Sequence, residues 1–291
     1  MAKVVFTQKS DSIYDDLPEE RYHFPRTYLR QAESAVGDWV VYYRPRRGAG
    51  NDTAQPASTY FATARLAGLD PDPRDPANLF YATVDQYLEF DEPVSFRRDE
   101  GSYEEGLLKA DGTVNKGLFG RSIRAIDDDA FALILGAGFS RRPLAWESIA
   151  DTNAYEDRPI LERITRRPYR DRRFRLQVCD AYANTCAITG LSLSNGGGRP
   201  EVQAAHIRPV EHNGPDSIRN GLALSSTAHW MFDRGLLSVD EHMRLIVSDS
   251  VDVETMRGLI NPGSEIRLPG NAHQRPSQHF LAYHRDHVFH D

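Results

Sequence analysis

Three blocks constrain this chain more than any other stretch: Ala204-Ala205-His206-Ile207, Asn220-Gly221-Leu222-Ala223-Leu224, and His229-Trp230-Met231-Phe232-Asp233-Arg234-Gly235. The run from Glu201 to Ile207 is short and apolar and reads as a strand. A loop from Pro209 to Arg219 follows. Asn220-Gly221 is a turn signal, and Leu222-Ala223-Leu224 leads into a helix. Ser225 or Ser226 supplies an N-cap, because a side-chain oxygen there accepts from an orphan backbone N–H. Gly235 supplies the stop. The order is strand, loop, helix, with His206 fourteen residues before Asn220 and Asn220 nine before His229. On the helix, His229 and Asp233 are four apart and share a face. An imidazole and a carboxylate so placed can hold a divalent cation.

The flanks extend this pattern. Arg172 to Tyr182 has helical spacing in Phe174, Val178 and Tyr182. Cys186 to Gly190 reads as a short strand and turn, and Ser192 to Arg199 as a Gly-rich loop. Leu236–Val239 and Leu245–Ser248 form a hairpin around Asp240-Glu241-His242. The tail holds His273, His279, His284, His287 and His290. A second metal site is conceivable there. A terminal helix packed through Phe280, Leu281, Tyr283 and Val288 fits better, with His284-Arg285 available to a phosphate backbone.

The region from about Arg172 to Ser248 resembles the HNH (ββα-metal) endonucleases, because several blocks occur in the right order and spacing. The resemblance implies single-metal hydrolysis of a phosphodiester. His206 would be the general base, since imidazole titrates near neutrality. Asn220 would hold the loop and orient His206 through its side chain. His229 would bind the metal, with Asp233 as a candidate second ligand. Mg²⁺ is the default ion; Mn²⁺ or another transition ion also suits an imidazole ligand. Ala205 stands where many members carry an acidic residue or histidine ligand, which puts the carboxylate duty on Asp233. No structural zinc is expected: the chain has two cysteines, Cys179 and Cys186, too few for a four-thiolate site. They read as reduced, partly buried thiols.

The net charge of −7 argues against a general nucleic-acid binder. The charge is uneven, however. Eight arginines (Arg158, Arg163, Arg166, Arg167, Arg170, Arg172, Arg173 and Arg175) face only Glu162 and Asp171 in one segment, which therefore carries +6. Such a strip suits a docked polyanion; the plainer alternative is a solvated helix face. Beside the HNH-like blocks, the first seven of these arginines read as DNA-binding residues.

The first half reads as β-rich. Trp39–Tyr43, Thr59–Leu66, Leu79–Val84 and Pro93–Phe96 are strand-like, and Pro25 to Ala35 reads as a short helix. Asp127-Asp128-Asp129 caps a helix from Ala130 to Leu135. Gly37-Asp38-Trp39-Val40-Val41-Tyr42-Tyr43 and Tyr60-Phe61-Ala62-Thr63-Ala64 are weakly similar to PUA-superfamily readers such as the EVE domain. That likeness implies a small barrel that flips a modified base into an aromatic pocket, with Trp39, Tyr42, Tyr43 and Tyr60 as candidates; on alternating strands about half would point into the core, and packing is the plainer role for any one of them. Arg44, Arg46 and Arg47 would grip nearby phosphates.

The expected class is α+β: a PUA-like β-barrel recognition domain over 1–145, a basic connector and helix over 146–175, and an HNH nuclease domain with flanking helices over 176–291. The expected activity is metal-dependent cleavage of double-stranded DNA carrying a modified cytosine, in the cytoplasm, with a homodimer as the arrangement that would let a single-site nuclease cut both strands. The alternatives are a non-catalytic DNA-binding protein on a degenerate HNH scaffold, and a nonspecific defence nuclease.

Overall fold

Six strands of the first half join one sheet in the order β2-β5-β4-β3-β1-β8. In chain order the elements are β1 (Lys3–Thr7), β2 (Arg21–Pro25), α1 (Leu29–Ser34), β3 (Trp39–Arg44), β4 (Thr59–Pro71), β5 (Leu79–Ser95), the two-residue strands β6 (Arg97–Arg98) and β7 (Gly101–Ser102), α2 (Lys116–Phe119), β8 (Ile123–Ile126) and α3 (Asp128–Gly138). This is a computed structural model, and it describes residues 2–9, 14–45, 58–99, 101–140, 159–252, 254, 256, 258–260 and 262–290. They divide into two compact units, one of the residues up to 140 together with 159–162, and one from residue 163 onward.

The sheet is mixed: β1 runs parallel to β3, and the other neighbours are antiparallel. Three register shifts between β4 and β5 raise the local twist. The sheet curls until Tyr22, on edge strand β2, donates its hydroxyl to Thr7 O at 2.9 Å and Ser122 O at 3.0 Å beside the opposite edge. Between these edges a side chain replaces a backbone ladder, so the sheet is a half-barrel. Trp39 to Tyr43 in β3 are all buried, the continuous pattern of a strand covered on both faces. Phe6, Tyr22, Phe24, Val40, Tyr42, Ala62 and Leu66 belong to the core on one side. Helix α3 begins where Asp127 accepts from Ala130 N at 2.7 Å, with Asp128 and Asp129 in its first turn, where acids complement the helix dipole.

Sequence pattern missed β1, β2 and β8, and it split β5 in two at Pro93. Past Val84, which donates to Glu20 O, no strand among the described residues pairs with the outer side of β5, so a residue without an N–H is tolerated at Pro93.

Helix α4 (Ile160–Thr165) is divided between the units after Glu162, and the second unit contains α5 (Arg167–Ala181), β9 (Gln203–His206), β10 (Gly221–Leu224), α6 (Ser226–Asp233), β11 (Leu237–Val239), β12 (Leu245–Val247) and α7 (Gln278–His287). Strand β9 pairs antiparallel with β10, which sets His206 opposite Gly221. Leu222–Leu224, expected to lead into the helix, therefore form a strand. All four β10 residues are buried, so pairing satisfies backbone groups that water cannot reach. Helix α5 lies against this pair. A Cβ on Gly221 would meet Val178 Cγ2 at 2.4 Å and the Phe174 ring at 3.2 Å, so the approach needs glycine. Gly235 closes α6 with φ of 67°, the left-handed turn expected from sequence. The core joins Phe174, Val178, Ile207, Leu222, Leu224, Phe232, Phe280 and Leu281. No described helix is long and apolar enough to cross a membrane.

Candidate active site at the β9–β10–α6 motif

His206 ends β9 with its side chain 17% exposed. Its ring lies flat on Phe174 of α5, with centroids 3.7 Å apart and planes 11° apart. Its Nε2 sits 3.0 Å from Asp216 Oδ1. Asp216 is buried, and two cations of α5 hold it: Arg170 Nε donates to Oδ2 at 2.8 Å, and Arg167 donates at 3.1 and 3.2 Å. Burial alone would raise the Asp216 pKa, but the His206 bond and the two guanidinium charges outweigh it and hold the carboxyl below its ordinary range.

Asn220, fully buried, does not bond His206 through its side chain as expected. Its Oδ1 accepts from Arg208 N at 2.8 Å, and its Nδ2 donates to Arg208 O and Pro215 O at 3.0 Å each. Its backbone oxygen accepts from Ile207 N. Asn220 thus ties both ends of the 207–216 loop, and its reach stops at the backbone on either side of His206 and Asp216.

His229, on α6, is one turn before Asp233; Nε2 and Oδ2 are 3.3 Å apart. His229 Nδ1 faces Gln203 Oε1 at 2.9 Å. Donation there leaves the Nε2 lone pair for a metal ion. Two ligands on one ion, each at about 2.1 Å, are roughly 3 Å apart, so this pair fits a divalent cation. Desolvation raises the Asp233 pKa, opposed by the charges of His229 and Arg234 and of His206 further off. No group of three or more His, Cys, Asp or Glu arranged for a metal occurs among the described residues. Two protein ligands suffice for an ion such as Mg²⁺, which keeps waters and takes substrate oxygens.

Two clefts meet at this point, sharing His206, His229 and Ala204. One, of about 550 Å³, is lined by Arg167, Arg175 and Arg199 with Glu201 and Asp171. The other, of about 380 Å³, is lined by Glu211 and Asp233. A phosphodiester needs this pairing: cations for its charge on one side, metal-holding oxygens on the other.

The arginine strip corrects the expectation for it. Arg170 and Arg173 are each only 6% exposed, so neither can lie along a phosphate backbone. Arg170 builds the Asp216 site, while Arg173 and Arg163 sit over the Tyr169 ring. Arg166 and Arg167 are exposed, and Arg163 and Arg172 half-buried; Arg158 lies outside the described residues. Sequence reading gave no role to Asp216, Gln203 or Arg199. Asp216 had one faint signal, a carboxylate in the same loop ten residues after His206.

In the first unit, Tyr42, Tyr43 and Tyr60 have no exposed surface, and Trp39 has 8%. The Tyr42 hydroxyl donates to Pro18 O, and the Tyr60 hydroxyl to Glu104 Oε1 at 2.7 Å. Tyr43 packs against Tyr60 with Arg124 over its ring. These rings fill the core and leave no open face for a base to stack on, which corrects their assignment to a pocket. Arg44 stacks on Phe61, 4.2 Å from its centroid; Arg46 and Arg47 lie outside the described residues.

The tail histidines form no cluster. His284 is buried: Nδ1 faces Ser238 Oγ, Nε2 faces Phe232 O, and the ring stacks on Phe232. Burial, opposed by the Phe232 carbonyl, lowers its pKa to about 4. It and Arg285, which donates to Val239 O, brace α7 rather than face a phosphate backbone. Cys179 and Cys186 are unpaired and buried.

Residues 186–240 match the family model described as HNH endonuclease. No curated protein matches the chain. Among solved structures, a modification-dependent TagI restriction endonuclease is 14% identical with a TM-score of 0.32, over 98% of this chain and 81% of that one. The N-terminal domain of Staphylothermus marinus McrB is 11% identical with a TM-score of 0.33, over 47% and 94%. The type IV phosphorothioation-dependent restriction endonuclease ScoMcrA is 12% identical with a TM-score of 0.19, over 79% and 49%. At such TM-scores, function rests on the site's own residues and on the family match.

Proposed function

On the premise that residues 186–240 form an HNH endonuclease domain, we propose that this protein hydrolyses phosphodiester bonds of double-stranded DNA at His206. One observation carries the reading: His206, the His229–Asp233 pair and the arginine-lined cleft converge on adjoining clefts. His206 takes a proton from a water molecule. The water oxygen forms a bond to phosphorus while the bond to the 3′ oxygen breaks, and the leaving oxygen gains a proton from solvent. Arg167, Arg175 and Arg199 bind the phosphates. A divalent cation held by His229 and Asp233, Mg²⁺ or Mn²⁺, would stabilise the charge that builds on the phosphate and the leaving oxygen.

The target is a modified base, read by the half-barrel unit by base flipping. A nuclease motif by itself has little sequence preference, and the β-rich first half, similar to PUA-type readers in sequence, supports a reader role. The test is a cleavage panel of otherwise identical DNAs carrying cytosine, methylcytosine, hydroxymethylcytosine, glucosylated hydroxymethylcytosine or backbone sulfur, in Mg²⁺ and in Mn²⁺. Cutting confined to one DNA with a modified cytosine supports this reading, cutting confined to the sulfur-containing backbone overturns the modified-base target, and equal cutting of all favours a nonspecific defence nuclease. His206→Ala should abolish cleavage and retain DNA binding, and full activity in that variant would remove the site assignment.

A further inference from the structure

We infer that Asp216 is a positioning residue for His206: its carboxylate fixes the ring's tautomer and orientation so that Nδ1 is the nitrogen that takes the proton. This rests on the reading of His206 as the base. Asp216 is 2% exposed, and its Oδ1 lies 3.0 Å from His206 Nε2. A carboxylate can only accept there, so Nε2 carries the hydrogen and donates it. In the neutral ring the lone pair then belongs to Nδ1. When Nδ1 gains the water's proton, the ring becomes an imidazolium whose second N–H already points at a carboxylate.

The carboxylate is itself held from three sides. Arg170 Nε donates to Oδ2, Arg167 donates to both oxygens, and Asn220 clamps the carbonyl of Pro215, the preceding residue. From the other face Phe174 lies flat on the imidazole. The ring can therefore neither tilt nor rotate without breaking a buried charged bond or losing its stacking partner. Arg170, part of what the sequence presents as a DNA-binding strip, thus serves the base instead, and Arg167, which also lines the basic cleft, supports the same carboxylate.

The clamp makes Asp216→Asn informative. The amide oxygen must stay at the Oδ2 position, where the two guanidinium groups need an acceptor. The NH₂ group then faces His206 Nε2 and donates to it, which moves the ring proton to Nδ1. The variant keeps the shape and loses the working lone pair. In the full-length protein, Asp216→Asn should cut on the order of 10²- to 10⁴-fold more slowly in single turnover, with DNA affinity within about threefold of the parent. Asp216→Glu should recover part of the rate. Independently of any variant's folding, ¹⁵N-histidine spectra of the parent should show His206 protonated on Nε2, its signal identified by its loss in His206→Ala.

A parent ring protonated on Nδ1, or Asp216→Asn cutting within about threefold of the parent, overturns the inference while leaving His206 as the base. Cleavage by His206→Ala at the parent rate overturns the underlying reading, and this inference with it.

Discussion

The imidazole of His206 lies flat on the phenyl ring of Phe174, with centroids 3.7 Å apart. Phe174 is 3% exposed and belongs to the second unit's core, so core packing and the orientation of the proposed base share one side chain. Phe174→Ala would leave a cavity costing about 3–5 kcal/mol. Phe174→Leu is the sharper variant: it should cost about 1 kcal/mol and slow cleavage roughly tenfold by freeing the His206 ring. Urea unfolding and single-turnover cleavage of the same preparation check both.

The His229–Asp233 pair predicts metal binding without reference to activity. Mn²⁺ titration by calorimetry should show one site in the parent and none in His229→Ala. Gln203→Ala removes the group that orients His229 Nδ1. It should weaken Mn²⁺ about tenfold, the low end for a supporting ligand contact, because this one is solvent-exposed.

The arginines should separate by burial. Arg175→Ala and Arg199→Ala, in the basic cleft, should each lower the slope of log affinity against log salt by about one. Arg173→Ala should leave the slope unchanged and cost stability, because its side chain is buried against Tyr169. Filter binding from low to moderate salt, done in EDTA, distinguishes the two groups.

His284 predicts a loss of stability in mild acid. Its pKa is about 4 in the folded chain and about 6.5 when unfolded. The unfolded chain therefore takes a proton first, and the stability His284 provides is whole above about pH 6.5 and declines as pH falls toward 4. The loss approaches roughly 3 kcal/mol, at about 1.4 kcal/mol per pH unit. Denaturant unfolding between pH 7 and 4 measures it, and His284→Gln should flatten this part of the curve.

In the half-barrel, Arg124 Nε and Glu104 Oε2 are 2.6 Å apart, both buried. Arg124→Met leaves a buried carboxylate without its countercharge and should cost about 3–5 kcal/mol. Tyr60→Phe removes one hydroxyl bond to the same carboxylate and should cost about 1–2 kcal/mol. Its affinity for DNA should not change, because the ring has no exposed face.

The sequence by itself determined the elements whose chemistry is local. His229 and Asp233 share a face because an α-helix brings i and i+4 together, and Gly235 ends that helix because it accepts a left-handed φ. The β3 and β4 runs are strands because β-branched and aromatic residues pack well on a pleated surface. The order of His206, Asn220 and His229 carried the family resemblance for the same reason: it is a one-dimensional pattern. Only the tertiary structure decided what each charged or aromatic side chain faces. Helix α5 reads as a basic strip, but packing against β10 across Gly221 turns Arg170, Arg167 and Phe174 toward Asp216 and His206. The tyrosines of β3 and β4 read as core residues or, by the likeness to base readers, as pocket residues, and the curl of the sheet closes over them. Burial and long-range pairing depend on which elements meet in space, and spacing along the chain does not encode that.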